Sequence, residues 1–122
     1  MGSSFKMLVN AMLAESMVVF SETVVLGQKL GMDREFLLNV LPGLVVSAPF
    51  TQFKAQNIKA GNYEAQFPLE LMLKDMELVE KTAEEVGQNL QLAGPTRELY
   101  ENAVNDNLGR LDFAAIHKFL EA

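Results

Sequence analysis

Lys6 and Asn10 are the two residues of this sequence whose types and spacing could do chemistry. They stand four residues apart at the start of an apolar segment that runs to Leu30, and on a helix this spacing brings two side chains to one face. An amine beside a carboxamide can hydrogen-bond the oxygen of a carbonyl or alkoxide and transfer a proton to it. The alternative interpretation is a solvated lysine and asparagine at a helix start, where polar residues are common.

Lys74 and Asp75 are a second candidate pair, because they interrupt the middle of an amphipathic segment. They too could be solvated charges on the polar face of a helix. His117, the only histidine, lacks an acidic or hydroxyl partner at catalytic spacing, so we expect it on the surface. The sequence has no cysteine, no zinc-type cluster and no glycine-rich phosphate loop, and it therefore predicts no metal site.

Length and charge restrict the class of protein. The 122 residues suffice for one domain, predicted over 1–122. The net charge of −6 argues against binding nucleic acid or an anionic membrane, which requires a basic surface. Glu15 and Glu22 would lie deep in the hydrocarbon of a membrane-spanning helix, so we expect no membrane partner. Because cysteine is absent, a cytoplasmic or other reducing location is the expectation.

The pattern of apolar and helix-ending residues predicts an all-α fold around one long buried N-terminal helix. Apolar residues cover nearly every face of this helix, and a chain of this length cannot wrap it alone, so a second subunit or domain should cover part of it. The predicted helices are Ser4–Leu30 with Gly31 as left-handed cap, a short helix after the N-cap Asp33, Val45–Lys59, Leu69–Val86 between Pro68 and Gly87, Pro95–Asn107, and Phe113–Ala122 capped by Asp112.

Three ordered motifs resemble those of the β-hydroxyacid dehydrogenases. The run Gly2-Ser3-Ser4-Phe5-Lys6-Met7-Leu8-Val9-Asn10 resembles the family's glycine-x-x-x-lysine-x-x-x-asparagine motif. The run 67–76, Phe-Pro-Leu followed by Lys-Asp-Met, resembles its second signature, and 111–116 resembles its terminal segment. Ser47-Ala48-Pro49-Phe50 and the Phe-Pro-Leu run are most similar to the glyoxylate/succinic-semialdehyde reductase branch. Arg110 and Ala114 depart from the residues usual in the terminal segment.

The resemblance implies the helical substrate-binding and dimerisation domain of an NAD(P)-dependent oxidoreductase, similar to the C-terminal domain of 6-phosphogluconate and 3-hydroxyisobutyrate dehydrogenases. Such an enzyme interconverts a small hydroxyacid and its aldehyde or keto form. Lys6 would be the acid/base residue and Asn10 would bind substrate oxygens. Lys74 would reach the NAD or NADP cofactor, with Phe67 and Asp75 nearby.

The family's dinucleotide-binding fold, with its glycine-rich turn after a strand, has no counterpart in these residues. We therefore expect this chain to be inactive by itself and to form a homodimer or a higher assembly. The competing hypothesis is a non-catalytic helical dimerisation or interaction module. In that case the long helix forms an interface, and Lys6 and Asn10 are ordinary surface residues.

Overall fold

A computed structural model describes the backbone of residues 2–122 and the side chains from Ser4 onward. Met1 and the side chain of Ser3, a residue of the first motif, lie outside the described residues. The described residues form six α-helices, with a 3-10 helix at Leu41–Gly43 and no strand beyond a single bridge between Pro68 and Asp112. The helices are α1 Gly2–Lys29, α2 Arg34–Val40, α3 Phe50–Ala60, α4 Leu69–Glu85, α5 Ala93–Asn105 and α6 Ala115–Glu121. The predicted all-α fold is confirmed.

The ends of the first helices follow the residues that predicted them. Gly31, after the end of α1, has a φ of 95°, in the left-handed half of the map where glycine is free of the strain a Cβ would cause. Asp33 caps α2, and its carboxylate accepts a hydrogen bond from the backbone N–H of Phe36 at 3.0 Å. Gly87 ends α4 with a φ of 75°.

Four predicted helix starts differ from the structure. α1 begins at Gly2 rather than Ser4 and α5 begins at Ala93 rather than Pro95, and the starts of α3 and α6 also differ. The third helix begins at Phe50 rather than Val45, because a proline disfavours helical geometry in the residue before it and Pro49 is the N-cap. Val45 lies instead in a turn and is fully exposed. The last helix begins at Ala115 rather than Phe113, since the Asp112 side chain accepts the backbone N–H of Ala114 and holds a turn there.

The core forms along one side of α1, which contacts α2, α4, α5 and α6. The hydroxyl of Tyr100 on α5 donates a hydrogen bond to the carbonyl oxygen of Ala14 at 3.3 Å, deep in this core. The side of α1 that faces inward consists of fully or nearly fully buried residues: Ala14, Met17, Phe20, Ser21 and Val24.

The opposite side of α1, here called the outer face, is exposed within this chain. Phe5, Met12, Val19 and Leu26 follow one another at intervals of seven residues, and each is 60% to 70% exposed. A seven-residue apolar repeat is the pattern by which one helix packs along another. By length and composition, 4–29 could also cross a membrane. Its inward side is nevertheless part of the core.

The Asp112 carboxylate connects α3, the turn before α4 and the turn before α6. The Lys54 ammonium lies 2.7 Å from Oδ2, and the backbone N–H groups of Gln66 and Phe67 donate to Oδ1 at 3.0 and 3.1 Å. Burial alone would raise the pKa of this carboxyl. The hydrogen bonds from Lys54 and from the backbone N–H groups of Phe67, Ala114 and Gln66 outweigh that effect and hold the pKa below its usual value.

Candidate active site at the start of the first helix

Asn10 and Asp75 are in direct contact between α1 and α4. The Asn10 side-chain N–H donates a hydrogen bond to Asp75 Oδ2 at 2.7 Å, and both side chains are half-buried. Three residues earlier on α1, the sulfur of Met7 lies 3.6 Å from the hydroxyl of Thr82, seven residues further along α4. The two helices therefore run antiparallel here, and the first motif faces the second.

Lys6 lies one helical turn before Asn10 and is exposed. Among the described residues it makes no hydrogen bond and no ion pair. Chemistry by a lysine amine usually requires burial, because desolvation favours the neutral form of an amine. This chain alone does not supply that burial at Lys6.

Lys74 and Phe67 lie on either side of the start of α4. Lys74 is exposed and has no polar partner within residues 4–122, whereas Phe67 is half-buried in the turn before the helix. The Phe67 ring packs edge-on against the ring of Phe113, with centroids 6.4 Å apart, and its N–H is held by Asp112. Of the five predicted site residues, the structure thus joins Asn10 to Asp75 by a hydrogen bond, and within the described part of the chain neither lysine has a polar partner.

No group of three histidine, cysteine, aspartate or glutamate side chains within the described part of the chain could hold a metal ion.

The prediction that His117 lies on the surface was wrong, because the imidazole is fully buried between α6 and α1. Nδ1 lies 3.1 Å from the hydroxyl of Ser21, and Nε2 lies 3.3 Å from the Glu121 carboxylate without the alignment of a hydrogen bond. Arg34 binds the same carboxylate through two nitrogens, at 2.6 and 3.1 Å.

The surroundings of His117 act on its pKa in both directions. Burial lowers it, the nearby Glu121 carboxylate raises it, and the charge of Arg34 lowers it; the net effect is a pKa below the usual value. A carboxylate lies opposite Nε2, so the neutral ring carries its proton on that nitrogen. Nδ1 is then an acceptor, and the Ser21 hydroxyl donates to it. The function of this group in the structure is to attach α6 to α1.

A groove of about 360 Å³ lies further along α1, between this helix and the segment 41–51. Most of its lining is apolar, and none of the five predicted site residues contributes to it. Glu15 is one of its few polar groups, and burial raises the pKa of this carboxyl. The lining begins at Met12, which is two residues after Asn10 but about 200° around the helix from it, so the groove opens on a different side of α1.

The buried pair of Lys54 and Asp112 was missed by the sequence analysis. A signal for it existed: Lys54 is three residues after Thr51 and four before Ile58, and both neighbours are buried on the same helix face. A lysine at such a position requires a carboxylate partner. Which carboxylate it meets could not be read from the spacing.

Comparison with known proteins gives this geometry a context. Two Arabidopsis thaliana proteins, glyoxylate/succinic semialdehyde reductases 2 and 1, are 33% and 30% identical over 99% and 94% of this chain. The human cytokine-like nuclear factor N-PAC is 27% identical over 96% of it. The chain spans only 34%, 40% and 22% of the lengths of these three relatives.

Two solved structures share the fold. A 3-hydroxyisobutyrate dehydrogenase from Salmonella typhimurium superposes with a TM-score of 0.89 at 21% identity, over 97% of this chain and 41% of that one. The Mycobacterium tuberculosis 3-hydroxyisobutyrate dehydrogenase, solved with L-serine, gives a TM-score of 0.82 at 24% identity, over 99% of this chain and 44% of that one.

The family model described as "NAD-binding of NADP-dependent 3-hydroxyisobutyrate dehydrogenase" matches residues 1–120. This match covers all three motifs on which the resemblance rested, and the predicted family is confirmed. The chain belongs to the family of NAD-binding domains of NADP-dependent 3-hydroxyisobutyrate dehydrogenases.

Proposed function

We propose that this chain is the substrate-binding and dimerisation domain of an NAD(P)-dependent oxidoreductase that interconverts a small hydroxyacid and its aldehyde or keto form. The observation that carries the proposal is the contact of Asn10 with Asp75, one helical turn from Lys6, in a chain of this family. This contact supports the proposal because a carboxamide held by Asp75 and an exposed amine one helical turn away could together serve the reaction of an alcohol or carbonyl oxygen.

The chain's own residues would bind the substrate and handle its proton. Asn10 would hold the substrate oxygen, and Lys6 would donate a proton to the developing alkoxide during reduction and accept it during oxidation. General acid–base catalysis of this kind contributes about 10²–10⁴ in rate. NAD or NADP, when bound, supplies or takes up the hydride.

Two of the residues assigned to the cofactor, Lys74 and Phe67, fit that assignment in their chemistry. Lys74 is an exposed cation without a partner among the described residues, available to an anionic group, and Phe67 offers a half-buried ring at the start of the same helix. Most contacts to a dinucleotide come from a βαβ unit. We therefore propose that a separate dinucleotide-binding domain covers this end of α1, excludes water from Lys6 and supplies most of the cofactor site.

The substrate would be a small acid of the glyoxylate, succinic or tartronate semialdehyde or 3-hydroxyisobutyrate class. The names of the relatives support this range without selecting within it. A cytoplasmic or other reducing location and a homodimer remain part of the proposal. The second candidate, a non-catalytic interaction module, is favoured by the exposed outer face of α1 and by the match to a protein named as a nuclear factor.

Replacement of Lys6 tests the catalytic assignment in a protein that carries this domain together with a dinucleotide-binding domain. Lys6→Ala should lower kcat by about 10²-fold or more and leave the affinity for NADPH nearly unchanged, because a proton-transfer group is lost and a cofactor contact is not. Lys6→Arg should not restore activity, because a guanidinium stays protonated. Steady-state kinetics and fluorescence titration of NADPH measure both quantities.

The matched control is Lys29→Ala, an exposed lysine in the last turn of the same helix. It should keep the turnover of the unmodified enzyme. Near-normal turnover of Lys6→Ala, with a folded protein in both cases, would remove Lys6 from the catalytic assignment, whereas an unmodified protein without turnover would favour the interaction module.

A further inference from the structure

We infer that Asp75 is a positioning residue that fixes the carboxamide of Asn10, and that it acts on the substrate through this amide rather than on the cofactor. The inference rests on the proposed function, since it concerns the same site. It also changes the assignment of Asp75, which the family resemblance placed near the cofactor.

The first step is the identity of the amide atom that faces Asp75. A carboxylate is only an acceptor, so the Asn10 atom 2.7 Å from Oδ2 must be the nitrogen. This determines which way the carboxamide is turned, a choice that an asparagine otherwise leaves open. One N–H is then occupied by Asp75, while the oxygen at the other corner of the amide remains for a different partner.

The second step is rigidity. Asp75 is flanked on α4 by the fully buried Met72 and Met76, and Asn10 is followed one turn later on α1 by the fully buried Ala14. Both backbones are thus held by the core, and the hydrogen bond joins two fixed elements rather than a loop to a helix. A site group supported in this way keeps its geometry when the substrate leaves.

The third step is what the free oxygen can bind. Hydrogen bonds polarise one another, so a carboxylate that accepts from the amide nitrogen makes the amide oxygen a stronger acceptor. Two donors suit it: the hydroxyl of a hydroxyacid, or the ammonium of Lys6 one turn away. The first bond holds the reacting hydroxyl itself, and the second holds the Lys6 ammonium beside the place where that hydroxyl would lie. Asp75 therefore sets the polarity with which Asn10 meets its substrate.

The contact itself can be tested in this chain without any activity. In Asp75→Ala the chemical shifts of the Asn10 side-chain NH₂ group should change. The hydrogens of this group should also exchange with solvent faster, because their acceptor is gone. Glu77→Ala, an exposed carboxylate two residues along the same helix, should leave both unchanged. If the Asn10 chemical shifts and exchange rate are the same in Asp75→Ala as in the unmodified chain, the positioning contact is refuted, whether or not the protein is an enzyme.

The effect on catalysis is tested by a double-mutant cycle in a protein that also carries the dinucleotide-binding domain. Asp75→Ala should reduce kcat/KM for the hydroxyacid about tenfold and leave KM for NADPH unchanged, and Asp75→Asn, whose amide oxygen still accepts, should recover part of the loss. In an Asn10→Ala background, Asp75→Ala should cause less than about a twofold further change, because the residue through which it acts is gone.

An equal loss in both backgrounds, or a raised KM for NADPH, would show that Asp75 contacts the cofactor directly and would overturn the inference. A parent protein without any reductase activity would refute the proposed function, whereas the resonance experiment would still decide on the contact. Thermal unfolding of Asp75→Asn checks that the protein is folded.

Discussion

At the scale of single residues, Asp112 stabilises more of the chain than any predicted site residue. It receives an ammonium and three backbone N–H groups, and its side chain is only 4% exposed. Removal of one member of a buried ion pair leaves the other without a partner in a medium that solvates it poorly. The turn that holds Phe67 would also lose its acceptor.

Asp112→Ala should therefore lower the free energy of unfolding by about 3–5 kcal/mol, measured by urea denaturation of the isolated chain. The matched control is Asp106→Ala, an exposed aspartate after α5, which should change it by less than about 0.5 kcal/mol. Similar urea midpoints for the two variants would contradict this prediction. They would mean that water replaces Asp112 as the partner of Lys54 and the backbone N–H groups at little cost.

His117 gives the chain a pH-dependent stability. Its pKa is lowered in the folded chain, so the unfolded chain, with a pKa of about 6.5, takes up a proton first as the pH falls. The contribution of neutral His117 to the free energy of unfolding is therefore fully present above the unfolded-state pKa. It declines as the pH falls below that pKa, by at most about 1.4 kcal/mol per pH unit. The carboxyls of Glu121 and Asp112, whose pKa values are also lowered, add to the loss only at more acidic pH.

The melting temperature should thus fall between pH 7 and pH 5, and His117→Gln should reduce that fall even if it is less stable overall. Lys118→Gln, at the exposed neighbouring position, should keep the slope of the unmodified chain. If the melting temperatures of the unmodified chain and His117→Gln fall in parallel with pH, His117 is not the cause of the fall.

Sequence reasoning at this scale found residues that share a helix turn and missed pairs that are distant in the chain. Lys6 and Asn10 are neighbours by helical geometry alone, and the motif singled out Asp75 without showing its partner. The Lys54–Asp112 and Ser21–His117 contacts join residues 58 and 96 positions apart. Spacing carries no information about such pairs, because they depend on how the helices cross.

At the scale of elements, the close packing of α2 on α1 depends on Gly27. A Cβ built at this position would lie 2.8 and 3.1 Å from the two terminal carbons of Leu37, which is itself buried. In an open helix, alanine is favoured over glycine by about 1 kcal/mol. Overpacking in a core costs about 1–3 kcal/mol and here opposes that gain.

Gly27→Ala should destabilise the chain by about 1 kcal/mol, whereas Gly43→Ala, in open space, should stay within about 0.5 kcal/mol of the unmodified protein. In a Leu37→Ala background the sign should reverse, because the space is then free and only the helix preference remains. Calorimetric melting of the four variants measures this, and a raised melting temperature for Gly27→Ala alone would contradict the packing argument.

The elements themselves were largely predictable, because apolar periodicity, caps and helix-ending glycines act within a few residues. The start of α3 was not, since the apolar run of Val45 and Val46 suggested a helix that Pro49 prevents. The local signal of the proline was stronger than the hydrophobic pattern.

At the scale of the whole molecule, the exposed outer face of α1 is the reason to expect that the chain associates with a partner. Large exposed apolar surfaces usually mark interfaces, and a second copy offers the same seven-residue repeat in return. We expect a homodimer that buries about 2,000 Å² or more in total, as obligate interfaces do. Which side of the helix faces inward required the structure, because nearly every face of α1 is apolar.

Sedimentation at micromolar concentration should show a dimer, and Met12→Glu, in the middle of the outer face, should shift it towards the monomer. Val86→Glu, equally exposed but at the end of α4, should remain dimeric. A soluble monomer for the unmodified chain would contradict the expected assembly.

The long separation in sequence between α1 and α6 has a consequence for biosynthesis. A ribosome makes α1 before the other helices of this domain, and His117, which completes the inner side of α1 at Ser21, follows 96 residues after that serine. The backbone N–H of Phe67 in the turn before α4 likewise has its acceptor, Asp112, 45 residues later in the chain. Contacts between residues this far apart in sequence form slowly. Until they form, the apolar surface that they would cover is exposed and can cause aggregation. Until α6 is made, we therefore expect α1 to be a segment of this domain that a chaperone would bind.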